Sequence, residues 1–259
     1  MPKFAANLTL MFNELPFLER FAAARGNGFE AVEFLFPYAW TVEEIAERLG
    51  ANRLSLVLHN LPAGDWAAGE RGLACAPQRT GEFQDSVAQA LAYAVPLGVR
   101  QLHCLAGIPG PGADLNLAHQ TYVANLRYAA ECLDAHGMTL LIEPINTFDM
   151  PGYFLTSSAQ AAGVIAEVGA SNLYLQYDIY HMQRMGEDLA GGIKRHLPQI
   201  RHMQLADSPG RHEPGSGVID YAALFRLIDQ LGYEGWIGCE YLPQGDTAAG
   251  LAWRRALLT

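Results

Sequence analysis

The feature that most constrains this chain is an unbroken alternation of short apolar runs with longer amphipathic stretches, repeated eight times. Phe4 to Leu8, Ala31 to Phe34, Leu54 to His59 and Gln101 to Leu105 read as the first four strands. Thr139 to Glu143, Leu173 to Asp178, Ile200 to Ala206 and Trp236 to Glu240 read as the second four. A helix is expected after each. Pro16 opens the first, which stops at Gly26 and Gly28, and Thr41 with Glu44 makes a capping box for a helix ending at Gly50. Phe83, Val87, Leu91 and Ala94 keep helical spacing before Pro96, as do Tyr122, Leu126, Ala129 and Leu133 before Gly137. Ala161, Ile165 and Val168 mark the next helix, and Lys194, Arg195 and His196 sit in the last turn of the one after it. Asp220 caps a helix whose apolar face is Tyr221, Leu224, Phe225 and Ile228, and a last helix runs through Leu251 and Leu257.

Eight such units in 259 residues, with no linker or low-complexity segment, place the chain in the α/β class as one (β/α)8 barrel domain spanning residues 1–259. The units share no detectable sequence, so this is not a solenoid. No Gly-x-Gly-x-x-Gly follows the first strand, which weakens a doubly wound nucleotide-binding fold. The longest irregular stretch, Asn60 to about Ala76, has the length of a lid or binding loop. No run of eighteen apolar residues occurs, so no membrane span is expected. Scattered Cys75, Cys104, Cys132 and Cys239 form no Cys-x-x-Cys pair and fit a reducing cytoplasm. A formal net charge of −10 disfavours nucleic acid as a partner. Nothing in the sequence fixes the oligomeric state, and a homo-oligomer is compatible with it.

Four consecutive strands carry a polar residue at the end where such barrels build their sites: Glu143, Asp178, Gln204 and Glu240. One carboxylate in such a place is more often a helix cap or half an ion pair; four polar groups on neighbouring strands of one face are not. Three carboxylates converging in a cavity repel by roughly 4 kcal/mol per pair at 4 Å and an effective dielectric of about 20. Arg201 and Arg211 are the nearest basic residues in sequence, and neither could neutralise all three. A divalent cation could. Three carboxylates and an amide offer oxygen only, which suits Mg²⁺ or Mn²⁺ better than Zn²⁺. His181, three residues past Asp178, faces the same mouth. Arg211, in the glycine-rich loop after the seventh strand, reads as a solvated charge or a clamp for a substrate carboxylate. His59 ends the third strand, and Glu70 with Arg71 occupies the long loop, where the two could simply pair.

At these residues the chain resembles the hydroxypyruvate isomerases of the xylose-isomerase-like barrels. The likeness runs from FAANLTLMF at Phe4 to Phe12 through to the last helix. It is most specific in HNLPAGDWAAGERG (His59 to Gly72), IEPINTFDMPGY (Ile142 to Tyr153), QYDIYHMQRM (Gln176 to Met185), RHEPGSGVIDY (Arg211 to Tyr221) and GWIGCEY (Gly235 to Tyr241). The resemblance implies Glu143 and Glu240 as the acid/base pair, and Glu143, Asp178, Gln204 and Glu240 around Mg²⁺ or Mn²⁺. Related ketose epimerases have a His where this chain has Gln204, a departure that agrees with an all-oxygen site. The implied substrate is a small hydroxy-keto acid, contacted by His181, Arg211, His59 and Glu70, in carbohydrate and glyoxylate metabolism. The implied reaction interconverts hydroxypyruvate and 2-hydroxy-3-oxopropanoate by proton transfer through an enediolate, with no organic cofactor. A close subfamily, the 2-oxo-tetronate isomerases, shares the site. Two readings of other classes compete: a metal-dependent, endonuclease-like phosphodiesterase, which would want several His ligands and a basic surface, and a non-catalytic sugar-binding barrel, which has no use for two opposed glutamates.

Overall fold

The computed structural model describes residues 2–258. Eight parallel strands close into a barrel in sequence order: β1 (Lys3–Asn7), β2 (Ala31–Glu33), β3 (Ser55–Asn60), β4 (Gln101–His103), β5 (Thr139–Ile142), β6 (Leu173–Asp178), β7 (Ile200–Leu205) and β8 (Trp236–Cys239). β1 pairs with β8 as well as β2, so no sheet edge is left open. The strands were expected one or two residues longer at several ends. Glu143 and Glu240 each follow the last residue of their strand, and the Glu240 N–H still donates across to the Leu205 carbonyl at 3.0 Å.

Helices α1 (Phe17–Gly26), α2 (Val42–Asn52), α3 (Thr80–Ala94), α4 (Leu115–Asp134) and α5 (Ser158–Val168) follow the first five strands. The Thr41–Glu44 capping box forms as the sequence implied, with Thr41 Oγ1 accepting from the Glu44 N–H and the Glu44 carboxylate accepting from the Thr41 N–H. The expected single helix after β6 is two: α6 (Ile179–Arg184) and α7 (Leu189–His196). Gly186 breaks them apart at φ 75°, a left-handed turn that costs glycine nothing. After α8 (Tyr221–Gln230), the expected last helix is likewise two short ones, α9 (Thr247–Gly250) and α10 (Trp253–Leu257). Trp253 and Phe225 clamp Phe4 edge-on with ring centroids 5.2 and 5.4 Å away, which ties both ends of the chain to β1. Such aromatic pairs contribute about 0.5–1.5 kcal/mol each beyond their buried area. Among the described residues, no helix is long and apolar enough to cross a membrane.

The long loop lies between β3 and a 3-10 turn at Pro77–Arg79, close to the expected limits. It is anchored rather than loose. Leu73, Ala74 and Cys75 are buried, and the Cys75 N–H donates to the Ala106 carbonyl at 2.9 Å. Gly72, at φ 120°, lies so close to the chain after β4 that a Cβ would sit 2.4 Å from the Leu105 carbonyl oxygen. These ties swing Trp66 over the barrel mouth, where the Arg71 guanidinium stacks on its ring at 3.9 Å.

Candidate active site

The mouth of the barrel holds a cavity of about 140 Å³. Glu143, His181, Gln204, Arg211 and Glu240, all singled out from the sequence, line it together with Asn7, Glu33, His103, Gln176 and Trp66. Asp178 stands beside them: Glu143, Asp178, His181 and Glu240 each bring one candidate ligand atom within 4.8 Å of the others, and all four are buried. His59 and Glu70 do not line the cavity. The His59 ring is wholly buried behind it, placed to donate from Nδ1 to the Asn60 carbonyl at 3.1 Å, and burial pushes its pKa down to about 4. Glu70 braces the long loop: its carboxylate accepts from Arg79 and from the Asp65 N–H at 2.6 Å, while Arg71 Nη1 donates to its backbone carbonyl at 2.7 Å.

Local chemistry explains why each carboxylate reaches the cavity half-used. Asp178 caps α6: one oxygen, Oδ1, accepts from the Tyr180 and His181 N–H groups at 2.7 and 3.2 Å. Its other oxygen, Oδ2, has no hydrogen-bond partner. Glu143 Oε1 is likewise unpartnered, with His103 Nε2 at 3.5 Å from Oε2 and His181 Nε2 at 3.8 Å from Oε1. Glu240 is the carboxylate with a cation of its own, since Arg211 Nη2 donates to its Oε2 at 2.7 Å. Arg211 reaches in from a backbone at φ 57°, an uncommon conformation for a residue other than glycine.

The electrostatics follow from burial and crowding. Burial, then the neighbouring Glu240 and Asp178 charges, raises the Glu143 pKa well above the carboxylate range. Glu240 is pushed up to about 8, chiefly by burial, which the Arg211 charge only partly offsets. Asp178 rises for the same first reason, again opposed by Arg211. His181 and His103 move the other way. Burial depresses both, His103 to about 3, so both imidazoles are neutral at pH 7. Burial works against the charge of Arg211, but Glu240, Asp178, Glu143 and Asp149 more than offset it and hold it protonated.

These residues fit a divalent cation. Two buried carboxylate oxygens without a protein donor, and a third carboxylate held by one arginine, are costly so close together unless protons or a cation compensate them. Glu143, Asp178 and Glu240 would supply oxygen ligands of the kind hard cations take. Gln204 stands in line with Asp178 across the β6–β7 pair. Its Oε1 accepts from Gln176 Nε2 at 2.6 Å and its Nε2 donates to Glu33 Oε1 at 2.8 Å.

Sequence reasoning missed the layer beneath. The Glu33 carboxyl, wholly buried on β2, accepts from Asn7 at 3.0 Å, from Gln204 at 2.8 Å and from His202 Nε2 at 2.6 Å. His202 Nδ1 takes an N–H from Gln101 at 3.2 Å. Asn7 also reaches toward Glu240, at 3.4 Å. A signal was present: Gln176 and Asp178 on β6, and His202 and Gln204 on β7, each sit two residues apart. A period-two polar pattern in strands flanked by helices marks residues facing into the barrel.

The chain has relatives along its whole length. The family model for the xylose isomerase-like TIM barrel matches residues 21–257, and the chain belongs to that family. It is 51% identical to the hydroxypyruvate isomerase of Escherichia coli (strain K12), with 98% of each chain covered. It is 50% identical to a 2-oxo-tetronate isomerase of Cupriavidus necator, covering 100% of this chain and 99% of the other. A crystal structure described as an AP endonuclease, family 2, from Brucella melitensis superposes with a TM-score of 0.97 at 48% identity over 99% of both chains.

Proposed function

We propose that this protein is an isomerase of short hydroxy-keto acids that interconverts hydroxypyruvate and 2-hydroxy-3-oxopropanoate. The observation that carries the reading is the pair Glu143 and Glu240, buried, three strands apart, and facing one small cavity beside a single arginine. Full-length relatives of two isomerase names stand at 51% and 50% identity; they support hydroxypyruvate as the first substrate and 2-oxo-tetronate, one carbon longer, as the second. A multi-zinc phosphodiesterase has less support, because the cluster holds one His against three carboxylates.

The residues divide the work as follows. Arg211 and its partner Glu240 lie where a substrate carboxylate would replace part of that ion pair. One glutamate takes the proton from carbon 3 of hydroxypyruvate, and the C–H electron pair becomes the carbon–carbon double bond of an enediolate. The other glutamate delivers a proton to carbon 2, leaving an aldehyde at carbon 3, while the hydroxyl proton passes from oxygen 3 to oxygen 2. Raised carboxyl pKa values suit this exchange, since a base poised near neutral pH both accepts and returns a proton readily. Neutral His181 can bond the oxygen on which charge develops. Glu143, Asp178 and Glu240, with Gln204, would hold Mg²⁺ or Mn²⁺, whose charge stabilises negative oxygen by several kcal/mol. His59 and Glu70 support the site from behind, through the strand end and the lid loop. Four unpaired cysteines support a cytoplasmic setting.

Cation binding should release protons. Glu240, with its pKa near 8, is largely protonated at pH 7 in the metal-free protein, and burial with the neighbouring carboxylates raises Glu143 well above the carboxylate range too. A cation must displace those protons, so its affinity rises with pH and levels off above about 8. Calorimetric titration of Mg²⁺ or Mn²⁺ in buffers of different ionisation enthalpy should register at least one proton released at pH 7. A pH-independent affinity with no proton release would contradict it.

The functional test is an isomerase assay of purified protein on hydroxypyruvate and on 2-oxo-tetronate, with and without chelator. Turnover of hydroxypyruvate that chelation abolishes and Mg²⁺ or Mn²⁺ restores is the expected result. Arg211→Lys keeps the charge but loses the two-pronged geometry that matches a carboxylate, and should raise KM about tenfold or more. No turnover of either acid would sink the reading, and an unchanged KM would leave Arg211 only as the partner of Glu240.

A further inference from the structure

Asn146 is wholly buried three residues past Glu143, in a stretch of sequence, IEPINTFDMPGY, of which the mechanism above uses only the glutamate. Every atom of its amide is engaged. Its Oδ1 accepts from the backbone N–H groups of Phe148 and Asp149 at 3.0 and 2.8 Å. Its Nδ2 donates to the Asp149 carboxylate at 3.0 Å and faces His181 Nδ1 at 2.6 Å. Backbone N–H groups can only donate and a carboxylate can only accept, so three partners of fixed polarity orient this amide. Turning it over would set its NH₂ against two N–H groups and its oxygen against a carboxylate.

The fourth contact is thereby decided. His181 Nδ1 meets an N–H and must present its lone pair, which leaves the single ring proton on Nε2. That nitrogen lies 3.8 Å from Glu143 Oε1 and 3.7 Å from Asp178 Oδ2, among the groups that could hold a cation. A histidine that ligates a metal has the opposite arrangement: its ligating nitrogen is bare, and its other nitrogen donates to a carboxylate, carbonyl or water. Position alone makes His181 a candidate ligand; its partner withdraws it.

We propose that Asn146 is a positioning residue that fixes the His181 tautomer with its proton on Nε2, making His181 a hydrogen-bond donor to a substrate oxygen and excluding it from the metal ligands. The cation is then left with oxygen donors alone, from Glu143, Asp178, Gln204 and Glu240. The donor role toward a substrate oxygen rests on the isomerase reading; the tautomer does not.

Long-range ¹H–¹⁵N correlation of protein labelled with ¹⁵N-histidine reads the tautomer directly, with the His181 signals assigned by their loss in His181→Gln. The expected pattern at neutral pH is a protonated Nε2 and a bare Nδ1, unchanged when Mg²⁺ is added. A proton on Nδ1, or loss of the Nε2 proton on adding Mg²⁺, would overturn the proposal, and neither outcome depends on turnover. In Asn146→Asp the atom facing His181 becomes an acceptor when the introduced carboxyl is ionised or directs its proton to Asp149, and measurement above pH 7 keeps it so. The ring proton should move to Nδ1, and the ratio of Zn²⁺ to Mg²⁺ affinity should rise about tenfold or more. An unshifted proton with an unchanged ratio, in a variant whose circular dichroism matches the parent, would also overturn it. Absence of isomerase activity alongside the Nε2-protonated pattern would count against the proposed function and leave the tautomer assignment standing.

Discussion

Glu143→Gln and Glu240→Gln are each expected to cut isomerase turnover by roughly 10²–10⁴-fold, the usual contribution of a positioned acid or base. Glutamine keeps an oxygen for a cation but can neither take nor return the proton. The two losses should not add, because both groups serve one proton path. Stability separates this from simple unfolding. The folded-state pKa of Glu143 is raised by burial and by the Glu240 and Asp178 charges. Between its unfolded value, about 4.3, and that raised value, the folded chain binds the extra proton, so stability is lost as pH rises through this window. Removing the carboxyl removes the loss. In chelator at pH 7.5, Glu143→Gln should therefore melt at or above the temperature of the parent while being nearly inactive. A variant with normal turnover, or one inactive only because it melts lower, would contradict the assignment. Metal content has to be measured for both variants, since the substitutions also remove ligand charge.

Gly238→Ala should be severely destabilising although it adds a single methyl group. Gly238 pairs with Gln204 in the β7–β8 ladder, and a Cβ there would fall 2.2 Å from Glu33 Oε1 and 2.3 Å from Oε2. Glu33 has a flexible stem, but Asn7, Gln204 and His202 pin its carboxyl from three sides. Making room means breaking some of those bonds inside the barrel. Overpacking costs about 1–3 kcal/mol and each buried polar group left unpaired costs a similar amount, so a total of roughly 2–5 kcal/mol is expected. In a chain of this size that is a fall in Tm of roughly 5–15 °C. Because Gln204 hangs from the same carboxyl, cation affinity should fall with it. A Tm within about 1 °C of the parent would mean that Glu33 is free to move.

Much of this architecture could be read from local pattern. Alternating strands and helices implied the barrel, and polar residues ending four consecutive apolar strands marked the mouth. The Thr41–Glu44 cap and the limits of the long loop also depend on neighbours within a few residues. Glu33 was illegible for the opposite reason. In Ala31-Val32-Glu33-Phe34 it looks like one polar residue in an apolar run, and its partner His202 lies 169 positions away. The breaks between α6 and α7 and between α9 and α10 went unread although Gly186 and Gly250 stand there as stop signals of the kind read at Gly50 and Gly137. Arg211 was seen as a clamp or a surface charge. Its bond to Glu240 depends on how one loop folds back over the barrel, which no spacing encodes. The role of Asn146 needs four partners at once, two of them backbone, and is invisible in one dimension.

The central claim is that two glutamates pass a proton between adjacent carbons of a short hydroxy-keto acid, and the most direct test follows that hydrogen. Purified protein loaded with Mg²⁺ or Mn²⁺ is given hydroxypyruvate in D₂O, and substrate and product are followed by NMR through partial and full conversion. A carboxylate base exchanges its proton with solvent before handing it on, so deuterium should accumulate on carbon 2 of the product 2-hydroxy-3-oxopropanoate. Conversion with no solvent deuterium at any stage would mean that hydrogen moves directly between the carbons, and Glu143 and Glu240 would then be ligands rather than the acid and base.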